Sequence, residues 1–137
     1  MRLRNILILL SLVFLPLGTL LSCAGTPVAL IAIQLNPLCV QDVQPSDQIQ
    51  FNACVFIDGV RQPGFENSAV TWSVLGGDVN GTVTQDGLYT APSTTPPPAG
   101  QVIVIATSTE DDQKQGQSTV VFVGQGTCET FETEECK

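Results

Sequence analysis

Histidine is missing from this chain, and positive charge is scarce. Without His there is no Ser-His-Asp or Cys-His nucleophile system and no imidazole metal ligand. Lys and Arg number 5 against 13 Asp and Glu in 137 residues. So acidic a surface repels polyanions, which excludes nucleic acid as a partner. Charged residues of either sign make up only 13%, and no stretch shows a convincing amphipathic helical period, so a helical cytosolic domain fits poorly. Gly, Pro, Thr, Ser, Val and Gln are abundant instead, the composition of an exported all-β module.

The only Trp and the only Tyr fall in one stretch, VTWSVLGGDVNGTVTQDGLYTAP at 70–92. Val70, Trp72 and Val74 alternate with Thr71 and Ser73, the period-2 pattern of a half-buried strand. Gly76-Gly77-Asp78, Asn80-Gly81 and Asp86-Gly87 are turn chemistry. The stretch therefore reads as strand, turn, strand, turn, strand, with the stop at Pro92.

The N-terminus has the anatomy of an export signal. Arg2 and Arg4 precede an apolar run at 6–21, interrupted by Pro16 and Gly18 and ending in Ser22-Cys23. Leu20-Leu21-Ser22-Cys23 resembles the bacterial lipobox, which implies cleavage after Ser22 and acylation of Cys23. Several acyl chains are needed for a stable anchor, because each buried methylene contributes only about 0.8 kcal/mol. Ala24, where an Asp would signal inner-membrane retention, leans toward the outer membrane. The expected organisation is a signal peptide at 1–22, lipidated Cys23 with a short tether at 23–27, a sandwich domain at 28–124, and an acidic tail at 125–137.

Within the domain, VALIAIQL at 28–35 reads as a first strand broken by Asn36-Pro37, with Cys39-Val40 resuming it after a kink. Residues 48–57 alternate as one strand. Ile49, Phe51, Ala53, Val55 and Ile57 share its core face, and Gln48, Gln50, Asn52 and Cys54 share the other. Asp58-Gly59 ends it, and a loop carrying Arg61 leads on to Trp72. The Pro-rich run at 93–100 reads as a stiff loop rather than a polyproline ligand. Strands follow at 101–109 and 117–123, with an acidic turn at 110–114 between them. About seven closely spaced strands without helices predict an all-β sandwich.

VTWS, then GTVTQDGLYTAP, then VIVIATS and a Ser/Thr/Val-rich closing strand resemble the bacterial Ig-like (Big-type) domain. The resemblance rests on Gly81, Val83, Thr84, Gly87, Leu88, Tyr89, Thr90, Ala91 and Pro92 and spans about residues 28–124. It implies an immunoglobulin-like sandwich and extracellular display, adhesion or spacing of other domains. It implies no particular ligand.

Apart from Cys23, four Cys remain: Cys39, Cys54, Cys128 and Cys136. In an exported chain they are expected as two disulfides. The expected pairs are Cys39 with Cys54 and Cys128 with Cys136, and crossed pairings that clip the tail to the sandwich are the alternative. Zinc is disfavoured by the spacing and the absence of His.

No catalytic constellation, cofactor site or metal site stands out. Asp78, Asp86 and Asp111-Asp112 lack the spacing of a calcium loop. Asn80-Gly81-Thr82 fits a glycosylation sequon, which a bacterial lipoprotein would not normally use. The expectation is a non-enzymatic envelope protein that meets a protein or glycan partner. If Val102, Val104 and Ala106 face the core, Ile103 and Ile105 face outward, and with the closing strand they form a candidate partner surface. A carbohydrate- or ligand-binding accessory protein is the alternative, with Phe56, Phe65 or Phe131 as contacts.

Overall fold

The structure, a computed structural model, describes residues 28–94, 100–128 and Cys136. The signal segment, Cys23 and its tether, most of the Pro-rich run, and the tail stretch with Phe131 lie outside the described residues. The described chain is all-β, with ten strands where the sequence predicts about seven. They are β1 (Ile31–Asn36), β2 (Cys39–Val43), β3 (Gln48–Gln50), β4 (Asn52–Ile57), β5 (Val60–Arg61), β6 (Val70–Val74), β7 (Thr82–Val83), β8 (Leu88–Thr90), β9 (Gln101–Ser108) and β10 (Gln115–Phe122).

Three sheets form, ordered β1-β4-β5, β2-β10-β9-β6 and β3-β8-β7. All ladders are antiparallel except β2 with β10, which is parallel. The two three-stranded sheets share the 48–57 segment and together face the four-stranded sheet, in a sandwich-like arrangement. Two apolar clusters fill the space between. One gathers Val43, Phe51, Tyr89, Val102, Val104, Val120 and Phe122. The other gathers Ile33, Leu35, Ala53, Val55, Val70 and Ala106. Trp72 is only half-buried, and it packs against both clusters.

Two expected strands each divide between sheets. At Asn36-Pro37 the chain leaves β1 and crosses to the four-stranded sheet as β2. Ser118 Oγ donates to Pro37 O at 2.8 Å, and Thr119 N–H donates to Leu38 O at 3.0 Å, which hold the crossing. The 48–57 run is likewise not one strand. β3 pairs with β8 and β4 with β1, and the break falls at Phe51. The predicted core face survives, because period 2 continues across the break: Phe51, Ala53 and Val55 are buried, Ile49 and Ile57 half-buried. Arg61, predicted in a loop, instead pairs with Phe56 in the short β5. Asp58-Gly59 forms the tight connection, with φ of 51° and 79°, the left-handed conformation a two-residue hairpin turn demands.

The disulfides correct the expected pairing. Cys39 is joined to Cys128 and Cys54 to Cys136. Cys39 pairs in register with Thr119 of β10, and Cys54 with Gln34 of β1, so the two lie on outer faces of different layers. The crossing at Pro37 thus separates Cys39 from Cys54. Cys54 is buried although it belongs to the outward set, since Cys136 covers it and Asn36 Nδ2 donates to Cys136 O at 2.7 Å. Loops of 89 and 82 residues are closed, and at such lengths the chain-entropy model gives about 4.5 kcal/mol per bridge.

Small residues let the layers approach. Gly116 of β10 is buried, and a Cβ there would stand 2.8 Å from both Ile33 Cγ2 and the Ile33 carbonyl oxygen. Gly116→Val is therefore expected to lower stability by roughly 1–3 kcal/mol through overpacking, read as a lower urea midpoint at constant m. Non-reducing peptide mapping is expected to recover Cys39 linked to Cys128 and Cys54 linked to Cys136. Recovery of a Cys39-to-Cys54 peptide would contradict the register described above.

Candidate functional site: the outer face of the four-stranded sheet

β9 places Val102, Val104 and Ala106 in the core, all 2% exposed or less. Strand alternation then puts Ile103 and Ile105 outward, as the sequence predicts, and both are half-buried. Their cross-strand neighbours are mixed. Ile105 lies between Gln117 of β10 and Ser73 of β6. Ile103 faces Thr119 on one side, and on the other its carbonyl accepts the Leu75 N–H at 2.9 Å. Leu75 is 58% exposed and Val79, further along the same loop, 79%.

The apolar character therefore runs from β9 toward β6 and the loop after it, rather than toward β10. On β10 the outward apolar residue is Val121, and it is buried beneath the turn that follows the strand. A Cβ at Gly126 in that turn would stand 3.8 Å from Val121 Cγ1. Sequence alternation identifies Ile103 and Ile105 but passes over Leu75, which sits just outside the strand and next to Gly76-Gly77. The signal was present: a large apolar residue immediately before two turn glycines is seldom a core residue.

The position of this loop is set from the core. Gly77 N–H donates to Val74 O at 3.0 Å and Asn80 N–H to Gly77 O at 3.0 Å, which winds residues 78–80 into one turn. Asn80 Nδ2 donates to Leu75 O at 2.7 Å, and Asn80 O accepts the Tyr89 hydroxyl at 2.7 Å. The amide predicted as a sequon acceptor is thus engaged inside the loop. Tyr89 itself is fully buried and stands edge-on to Phe51, with ring centroids 6.4 Å apart. A shallow, open depression of about 340 Å³ lies beside the loop, lined by Leu75, Gly76, Asn80, Gln101, Val102 and Ile103.

The remaining candidates do not converge. Asp78 lies in the 78–80 turn, Asp86 in the turn before β8, and Asp111-Asp112 between β9 and β10. Among the described residues, no three His, Cys, Asp or Glu side chains come together as a metal site would require. Phe65 is 56% exposed on the loop before β6, whereas Phe56 is half-buried on β4, so these two do not form one stacking platform.

Burial pushes the Tyr89 phenol up to about 12 from its usual 10, because the ionised ring oxygen would lose its water. The folded state then holds its proton where the unfolded chain releases it. This contribution to stability is whole below the unfolded value of 10 and is lost as pH rises through the folded value of about 12. Since Tyr89 is the only Tyr, phenolate absorbance reports it alone. The native protein is expected to titrate about two pH units above the same chain in denaturant. No protein-family model and no curated protein matches this chain.

Proposed function

We propose that this chain is a lipid-anchored protein of the bacterial cell envelope that displays one immunoglobulin-like sandwich for non-enzymatic surface interaction. In this reading residues 1–22 direct export, acylated Cys23 holds the protein in the membrane, and the domain over 28–124 presents its outer sheet face to a protein partner. The absence of Asp after Cys23 favours the outer membrane. Support for the immunoglobulin-like reading comes from the two facing layers and from the GTVTQDGLYTAP segment, whose Tyr89 hydroxyl closes on the backbone nine residues upstream. Disulfides suit an oxidising compartment, and four of the five Cys are engaged in them.

The observation that carries the interaction reading is the run of Leu75, Ile103 and Ile105 across one sheet face. Apolar residues grouped on an outer face bury further area when a partner arrives, each square ångström contributing about 25 cal/mol. The double variant Ile103→Thr/Ile105→Thr keeps β-forming side chains at both positions. It is expected to keep its unfolding free energy within about 1 kcal/mol while losing either self-association or the envelope protein that co-purifies with the parent. An unchanged oligomeric state together with unchanged co-purification would sink the reading. Glycan-array binding that is abolished by Phe65→Ala would replace it with the carbohydrate-binding one.

A further inference from the structure

The chain enters the domain at one end, and that end carries its own exposed apolar residues. Val28 is 92% exposed, Leu30 64% and Val60 63%. Register gathers Leu30 and Val60 at one strand end, Val60 on the face of the sheet that carries Ile31 and Ile57 and Leu30 on the opposite face, so that apolar side chains flank both sides of that edge. Ile31 pairs with Ile57, and Ile57 with Val60 across the Asp58-Gly59 turn. Leu30 N–H donates to Asp58 Oδ1 at 2.9 Å, and Asp58 N–H donates to Leu30 O at 2.9 Å, so the entering chain is bonded to the hairpin tip. The loop region at Leu75 and Val79 lies at the other end, since β6 runs away from its Val70–Ser108 pairing toward Leu75.

We propose that this entry end rests directly on the lipid surface, with Leu30 and Val60 entering the interfacial region of the bilayer. The inference rests on the lipid anchor at Cys23 proposed above. From Cys23 to Val28 is five residues, which fully extended span at most about 18 Å. Val28 therefore stays within about 18 Å of the anchored residue, and the end of the domain nearest the headgroups is the one carrying Leu30 and Val60. The hairpin is suited to this. Its tip has no slack, its apolar side chains project from a fixed turn, and the Asp58 carboxylate is occupied by the Leu30 N–H. Charge specifies the kind of surface. Glu110, Asp111 and Asp112, in the turn joining β9 to β10, share this end, because β10 begins beside β1, where Gly116 abuts Ile33. These carboxylates repel anionic headgroups, so the occupant is a zwitterionic lipid surface rather than a phosphatidylglycerol-rich one.

The test uses the intact lipidated protein in vesicles of phosphatidylethanolamine and phosphatidylcholine. Intact mass and vesicle flotation are measured first: loss of the acyl mass or of flotation defeats the anchor reading itself, and with it this proposal. Amide exchange is then compared between the parent and a form whose tether is lengthened by a Gly/Ser insert after Thr26, which keeps the anchor but frees the domain. In the parent, exchange over 57–61 is expected to be about tenfold slower than in the long-tether form, with 75–81 unchanged. Leu30→Asp and Val60→Asp are expected to abolish the slowing while flotation persists. Equal exchange over 57–61 in the two forms would overturn the proposal, as would slowing at 75–81 instead. Slowing that grows with protein density on the vesicle would assign the surface to a second copy of the chain, and would overturn it as well.

Discussion

A strand that passes from one sheet to another must leave the ladder for a residue, and the backbone groups stranded there need partners inside a dry core. Phe51 is that residue. Its N–H donates to Gly87 O at 2.9 Å, and its carbonyl accepts the Gln50 and Asn67 side-chain amides at 2.9 and 3.4 Å. Asn67 also accepts the Ala53 N–H at 2.8 Å and donates to Asp86 O at 2.7 Å, so one amide joins β4, the break and the following turn. Gln85 Nε2 completes the set by donating to Val70 O at 2.6 Å. With the polar groups satisfied, the ring of Phe51 is free to be wholly apolar in its contacts, at 0% exposure beside Tyr89. Gly87 is part of the same arrangement. Its φ of 83° and the closeness of the Phe51 carbonyl and Trp72 Cζ2 leave no room for a side chain.

From this junction the working parts are placed in sequence. The break at Phe51 aligns β8 under β3. That puts Tyr89 in the core with its hydroxyl directed at Asn80, and Asn80 in turn holds Leu75 at the edge of the outer face. The apolar strip on that face is thus anchored through a chain of hydrogen bonds to a fully buried ring. The entry end is built differently. There a two-residue turn and reciprocal bonds between Leu30 and Asp58 fix the geometry locally.

Strand periodicity made much of this legible. Alternation assigned the inward set on 48–57 and on β9, and it sent Ile103 and Ile105 outward. Turn chemistry located the ends of the strands around Trp72. What alternation could not reveal is a change of partner, because a strand that switches sheets without slipping keeps its period of two. The division at Phe51 is therefore visible only in the pairing register, whereas at Asn36-Pro37 the sequence marks the break but not the change of sheet. The cysteine pairing was hidden for the same reason. Spacing along the chain made Cys39 and Cys54 look like neighbours, whereas the crossing at Pro37 puts them on opposite outer surfaces. The burial of Val121 depends on a turn that follows its strand, which local pattern does not encode either.

The cross-links described here span 89 and 82 residues, and each has its second sulfur beyond the final strand. Every described strand must consequently have been made before either of these links can close. Both bridges therefore tie residues after β10 back to β2 and β4, and neither joins two neighbouring strands. A chain that stopped short of Cys128 would contain all ten described strands and none of that covalent insurance.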